Sequence, residues 1–347
     1  MRPARTLLVI LALGCVIAFL AWHFLPERTP AGRHSSRAGQ VSENERVAPE
    51  IVQPQGPSHV ALNRGPEVQN CFQGEVHPLL SGQTRLEVNA VWTPIGEGRD
   101  KFERVVSPVV YSWFKSLQPA VPKQTYTERD FSTFLPESVG EIGQLWALDL
   151  DKVARFLSQF HPHPSMHQVA AGRRAGPDGA FAILRAKSET HLDIEFRIHG
   201  EFYLTPDEEG PAREIDAWYT PAYFSGNLLV NQKTGRVDYF HLGVPTDKSL
   251  NVHLTMAASR MGFHKQAHDI VRVERMELTG GDAGLPEKVP WVDSMSRAEA
   301  DGRLAKVFYK SLEIGWVPFE QVSAQARSRN QPIFAIVSWG AVDDQSC

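Results

Sequence analysis

The run TLLVILALGCVIAFLAWHFL, Thr6 to Leu25, carries no formal charge over 20 residues. As a helix it is about 30 Å long, the thickness of a bilayer's hydrocarbon core. Arg2 and Arg5 precede it, and positive residues stay on the cytoplasmic side. Residues 1–5 are thus expected as a cytoplasmic stub and 6–25 as one transmembrane helix. The rest of the chain then lies in an extracytosolic compartment, the ER lumen in a eukaryote or the periplasm in a bacterium. A cleaved signal peptide is the competing reading, but its apolar stretch runs about 7–15 residues and an A-x-A site is missing after Leu25. Cys15 reads as a small apolar residue inside the span.

Residues 26–69 contain no aromatic side chain while Pro, Gly, Ser and Arg recur. Such a segment cannot bury enough apolar area to offset its ordering entropy, so it is read as a flexible linker. The whole chain is 42% hydrophobic and 22% charged, ordinary for a protein with a globular body. A net charge of −4 with scattered Lys and Arg gives no basic field, so nucleic-acid binding is not expected. Three cysteines, Cys15, Cys71 and Cys347, exclude a disulfide-stapled scaffold.

The body is expected to begin near Asn70. In WALDLDKVARFLSQF the residues Val153, Phe156, Leu157 and Phe160 recur at helical spacing behind Asp149 as a cap, and HPHP stops the helix. HLDIEFRIHGEFYL alternates Leu192, Ile194, Phe196 and Ile198 with Asp193, Glu195, Arg197 and His199, the period of a half-buried strand. YFSGNLLVNQKTGRVDYFHLGV reads as a hairpin turning at Gly235, and LNVHLTM and HDIVRVERMEL as further strands. The predicted class is α+β, with a mainly antiparallel sheet and helices over 70–280.

GGDAGLPEKVP marks a boundary, and 281–347 is expected to form a second module. WVPFEQVSAQARSRNQP reads as a helix with Pro318 in its first turn, an inward face of Phe319, Val322 and Ala326, and a stop at Asn330. A doubly buried strand, Ile333 to Trp339, comes next. A helix, a buried strand and a loop ending in cysteine make the first half of a thioredoxin-like fold, whose thiol sits between a central strand and the next helix. The module over 281–347 is thus expected to be incomplete.

TPAYFSGNLLVNQKTGRVDYFHLGVPTDKSLNV, Thr220 to Val252, together with the terminal WGAVDDQSC, resembles selenoprotein N. The family's terminal motif reads Ser-Cys-selenocysteine-Gly, and Ser346 and Cys347 match its first two members. The resemblance implies a chain ending where the selenocysteine codon is read as stop, with selenocysteine expected immediately after Cys347. It implies Cys347 as the resolving thiol with Ser346 beside it, and protein thiols or disulfides as substrates. It also implies calcium homeostasis through a calcium pump or channel in animal members. The alternative is a non-catalytic, membrane-anchored binding module that regulates a membrane partner. Asp343 and Asp344 oppose ionisation of a thiol at 347, which a selenol tolerates better.

HPHPSMH offers His161, His163 and His167 as candidate metal ligands, with a polar proline-rich loop as the other reading. DLDKVARFLSQF lacks the Gly and final Glu of an EF-hand loop, and TPDEEG reads as a solvated turn.

Overall fold

A computed structural model of the chain describes residues 68–93, 108–166, 179–204, 215–247, 251–258, 266–270, 273–335 and 342–343. All belong to one compact unit, Leu62–Cys347. The predicted membrane helix, the linker up to 67, TPDEEG, His167, Ser346 and Cys347 lie outside the described residues. Among the described residues no helix is long and apolar enough to cross a membrane.

The larger of two sheets runs β1 (Val68–Asn70), β4 (Leu145–Ala147), β6 (Gly179–Lys187), β7 (His191–His199), β10 (Phe224–Asn231), β11 (Arg236–Gly243), β14 (Arg275–Gly281), β2 (Arg85–Thr93) and β3 (Lys123–Thr127), with β15 (Asp293–Ser294) beside β6. Among the described residues only β1 and β4 pair in parallel. The second sheet runs β13 (Gln266–Ile270), β12 (Val252–Ala258), β9 (Ile215–Pro221), β8 (Glu201–Leu204) and β5 (Pro164–Ser165), all antiparallel. The expected α+β class with a mainly antiparallel sheet is what forms. The run HDIVRVERMEL, read as one strand, divides: β13 joins the second sheet and β14 the first.

Two short corners connect the sheets. Gly200 alone separates β7 from β8, and a Cβ there would lie 3.1 Å from Leu157 and 3.4 Å from the Ser165 carbonyl. Ala222 and Tyr223 separate β9 from β10. Because β7 pairs with β10, both corners fall at the same end of the larger sheet. The hairpin turn between β10 and β11 closes at Gly235, whose φ of 67° is the left-handed conformation that favours glycine.

The core lies on one face of the larger sheet. Helix α1 spans Pro108–Ser116 and the one-turn α2 Glu128–Phe131. Helix α3 (Leu150–Leu157) starts at Asp149, whose side chain accepts from the main-chain amides of Asp151 and Lys152, as the sequence predicts. It buries Val153, Phe156 and Leu157 against Phe134, Phe196 and Phe240 among others.

The opposite face departs from the sequence reading. The alternation in β7 predicts one wet face, yet every residue from His191 to His199 is buried. The cover is a helix. After the one-turn α4 (Leu285–Lys288), α5 (Arg297–Phe308) lies across β6 and β7, with Ala300 and Leu304 packed on Leu145, Ile183 and Met295. Residues placed in the second module by sequence thus pack on the main sheet. Helix α6 (Phe319–Arg329) forms at its expected position and ends at Asn330 in the left-handed conformation. Its expected inward face is not buried: α6 has no buried residue and Phe319 is 85% exposed. Ile333 to Ala335 carry no strand, and Phe334 is 80% exposed. A hydrophobic run takes strand form only where a neighbouring strand supplies its hydrogen bonds, and among the described residues none lies beside this one. The expected thioredoxin-like half is therefore not seen, and residues 336–339 lie outside the described residues. The body also starts two residues early, since β1 begins at Val68 inside the predicted linker.

Candidate functional site

The covered face of β7 carries Asp193, Glu195, Arg197 and His199 at every second position. Residues at this spacing share a face, about 6.7 Å apart. They form two adjoining groups.

The first is a quartet of two arginines and two carboxylates. Arg185 Nε and Nη2 donate to Asp193 Oδ2 at 2.8 and 2.5 Å, while Asn227 Nδ2 donates to Oδ1 at 3.3 Å. Arg297, at the start of α5, donates from Nη1 to Glu195 Oε1 at 2.6 Å and places Nη2 3.7 Å from Asp193. Arg185 Nη1 donates to the Met295 carbonyl at 3.2 Å and its guanidinium lies 5.1 Å from the Trp291 ring. The quartet ties the sheet to the segment that leads into α5. A buried charge needs partners of this kind, and here each has at least two.

Burial pushes the Glu195 carboxyl up to about 7, overcoming the lowering effect of Arg297 and Arg185. Unfolded, Glu195 releases its proton near pH 4.5, while folded it keeps the proton to about pH 7. Between those values the folded chain binds more protons, so this contribution is complete below pH 4.5 and is lost as pH rises through 7. Relative to Glu195→Gln, wild type is expected to lose stability over that window at up to about 1.4 kcal/mol per pH unit. Urea unfolding of both proteins at pH 4.5, 6 and 8 measures it. A constant difference would refute the assignment.

The second group surrounds Arg197, whose side chain is wholly buried. Its guanidinium stacks 3.5 Å from the Tyr223 ring centre and lies 5.9 and 5.7 Å from those of Phe308 and Tyr309. Nε donates to His199 Nε2 at 3.3 Å, so that nitrogen offers its lone pair and the imidazole proton sits on Nδ1. His199 stacks on Phe308 at 3.8 Å and 9°. Nη1 faces the Asp301 carboxylate at 3.5 Å, and Nη2 donates to the main-chain carbonyl of Asp343. Tyr223 is supplied by the β9–β10 corner, His199 by the end of β7, and Phe308 and Asp301 by α5. Three elements thus converge on a chain segment four residues short of Cys347.

The structure places the sequence-based candidates unevenly. Ser346, Cys347 and Asp344 lie outside the described residues, of which Asp343 is the last. Cys71 is buried with its thiol raised by burial, and Gln73 Nε2 donates to its sulfur at 3.3 Å, which makes it a poor nucleophile. His161 and His163 have ring centres 6.0 Å apart. Burial, then His163, pushes His161 down to about 4. Among the described residues no group of three His, Cys, Asp or Glu side chains could hold a metal ion.

Sequence reasoning missed Arg197 and its neighbours because alternating charges on a strand look the same whether water or a helix covers them. A signal was present in Ala300, Leu304 and Phe308, an apolar stripe at intervals of four that needs a surface to cover.

No protein-family model matches the chain, and no solved structure matches it. Curated relatives do. Selenoprotein N of Homo sapiens is 27% identical over 355 residues, covering 85% of this chain and 58% of the relative. Selenoprotein N of Danio rerio is 28% identical over 280 residues, covering 66% and 48%. Selenoprotein N of Mus musculus is 26% identical over 277 residues, with the same coverage. The chain spans about half the length of the curated relatives it matches. On these similarities the chain is a selenoprotein N-like protein.

Proposed function

We propose that this protein is a membrane-anchored selenol/thiol oxidoreductase of the selenoprotein N type, acting on protein thiols and disulfides in an extracytosolic compartment. The anchor is Thr6 to Leu25. The observation that carries the reading is the seat of the terminal segment: the Asp343 carbonyl, four residues before Cys347, is held by the buried guanidinium of Arg197. A reactive motif needs its approach loop fixed to rigid elements, and β7 and α5 are such elements.

Selenocysteine following Cys347 would supply the attacking group, which ionises beside Asp343 and Asp344 more readily than a thiol. Cys347 then provides the second sulfur. Its thiolate releases the substrate from the mixed intermediate, so one substrate disulfide gains two electrons and two protons and the terminal pair loses them. In an animal cell the partner we propose is a calcium pump or release channel, in keeping with a role in calcium homeostasis in the ER.

Stopped-flow reaction with a disulfide-bonded peptide provides the test. A protein with selenocysteine and glycine after Cys347 is expected to react fastest, one with cysteine and glycine there more slowly and with a rate that rises with pH, and the chain ending at Cys347 slowest. Cys347→Ser in the selenocysteine protein should keep the first step and block release. Equal rates for the selenocysteine protein and the chain ending at Cys347 would overturn the reading.

The second reading, a non-catalytic membrane-anchored binding module, draws on one observation. Trp316, Phe319, Ile333 and Phe334 are 46%, 85%, 51% and 80% exposed in one short stretch. Exposed apolar side chains so close together mark interaction surfaces. Unchanged peptide-disulfide reactivity in all four proteins would favour it.

A further inference from the structure

We propose that the first half of α5, Arg297 to Gly302, is a latch over the carboxylates of Asp193 and Glu195, opening by local unfolding while the second half of the helix stays docked.

Gly302 divides α5, a helix of 12 residues. Helices this short depend on packing more than on propensity, and an interior glycine in place of alanine weakens them further, by roughly two- to fivefold in the folding equilibrium. Such a glycine is normally required by a close neighbour or by a left-handed backbone. Neither holds here. A Cβ at Gly302 would meet no atom within 4 Å, and the residue is absent from the glycines with positive φ. Its effect is therefore on the helix itself, a point of weakness between two halves.

Those halves are held unequally. After Gly302, α5 buries Leu304, Ala305 and Phe308, the last edge-on to Phe181 at 5.0 Å. Before it, Ala300 is the one buried residue, in a small cluster with Leu145, Ile183, Met295 and Leu304 that is separate from the main core. Arg297 supplies the other contact, to Glu195 at 2.6 Å and Asp193 at 3.7 Å. Its side chain is 45% exposed, so water competes for both. The approach to α5 is strapped to β6, where the amides of Val292 and Met295 donate to the carbonyls of Lys187 and Arg185 at 2.9 and 3.0 Å. The weak stretch thus lies between two fixed points, the strap and the docked second half.

The face beneath is built to survive opening. Arg185 and Asp193 both belong to the sheet, so their two hydrogen bonds remain when Arg297 leaves, as does the one from Asn227 to Asp193. Glu195 keeps Arg185 at 3.5 Å and gains water. A site sealed at all times would be served as well by apolar side chains, whose exposure is costly in proportion to their area. Alternating charges suit a face that meets water part of the time. Segments with few apolar contacts are the ones that open below the global unfolding free energy.

The test compares the full chain as wild type, Gly302→Ala and Arg297→Gln, with two measurements. Hydrogen–deuterium exchange reports the opening of the amides of residues 300–303, 306–309 and β10. Carbodiimide coupling to an amine, located by mass spectrometry, reports access to Asp193, which is wholly buried when the latch is closed. In wild type the 300–303 amides should open at least about tenfold more often than those of 306–309, and Asp193 should couple at a rate that low urea leaves unchanged. Gly302→Ala fills open space and should lower both the opening of 300–303 and the coupling of Asp193 about two- to fivefold. Arg297→Gln should raise both about three- to tenfold. Opening of 300–303 without coupling of Asp193 is fraying of a helix end and overturns the latch. So does coupling of Asp193 only in step with exchange of the β10 amides, because the cover then leaves with the sheet. Wild-type values for both measurements in Gly302→Ala would overturn it as well.

Discussion

Asp193→Ala is expected to destabilise the fold by about 3–5 kcal/mol, more than any single exposed charge could. Asp193 is wholly buried and accepts from Arg185 twice and from Asn227 once. Removing it leaves Arg185 with Glu195 at 3.5 Å, a carboxyl that keeps its proton to about pH 7, as its nearest acid. An uncompensated buried guanidinium is the main cost, since the pair itself gains little net energy over an apolar substitute. The double variant Asp193→Ala with Arg185→Met should therefore be more stable than Asp193→Ala alone, because the orphaned charge has gone. Urea midpoints followed by tryptophan fluorescence decide it. A loss under about 1 kcal/mol for Asp193→Ala would mean that water reaches Arg185 and that the quartet is not sealed by α5.

The quartet also shows where the sequence stopped being legible. Helix α3 was readable because its cap, its apolar spacing and its stop are local, and local rules fix all three. The β10–β11 hairpin was readable for the same reason, through Gly235. The fate of the polar side of β7 depends on α5, about a hundred residues later, and no periodicity within the strand records that contact. Helix α6 illustrates the converse. Its spacing promised a buried face, yet spacing names only the side that prefers cover, and among the described residues nothing covers Phe319. Recognition of the terminal Ser346 and Cys347 came from resemblance alone. Arg197, which donates to the Asp343 carbonyl, carries no motif and emerges only when Tyr223, His199 and Asp343 are brought together in space.

The contrast between α3 and α6 yields the last expected result: Phe156→Ala should cost about 3–5 kcal/mol and Phe319→Ala within about 0.5 kcal/mol of nothing. Both phenylalanines sit in short helices, Phe156 in the last turn of α3 and Phe319 at the first position of α6. Their surroundings differ. The Phe156 ring stacks on Tyr126 at 4.2 Å and 13° and meets Phe134 at 5.1 Å, Phe240 at 5.3 Å and Phe131 at 5.7 Å. Truncation there removes the hub of four ring contacts and leaves a cavity that the rigid sheet behind it, with Phe240 on β11, cannot close. Phe156→Leu keeps most of the volume and should lose less than about half as much. Phe319 is 85% exposed and has little burial to lose. Thermal and urea unfolding of the three variants test the comparison together. If Phe319→Ala proves as damaging as Phe156→Ala, then α6 is packed against something that the described residues do not include, and its apolar face belongs to the folded core after all.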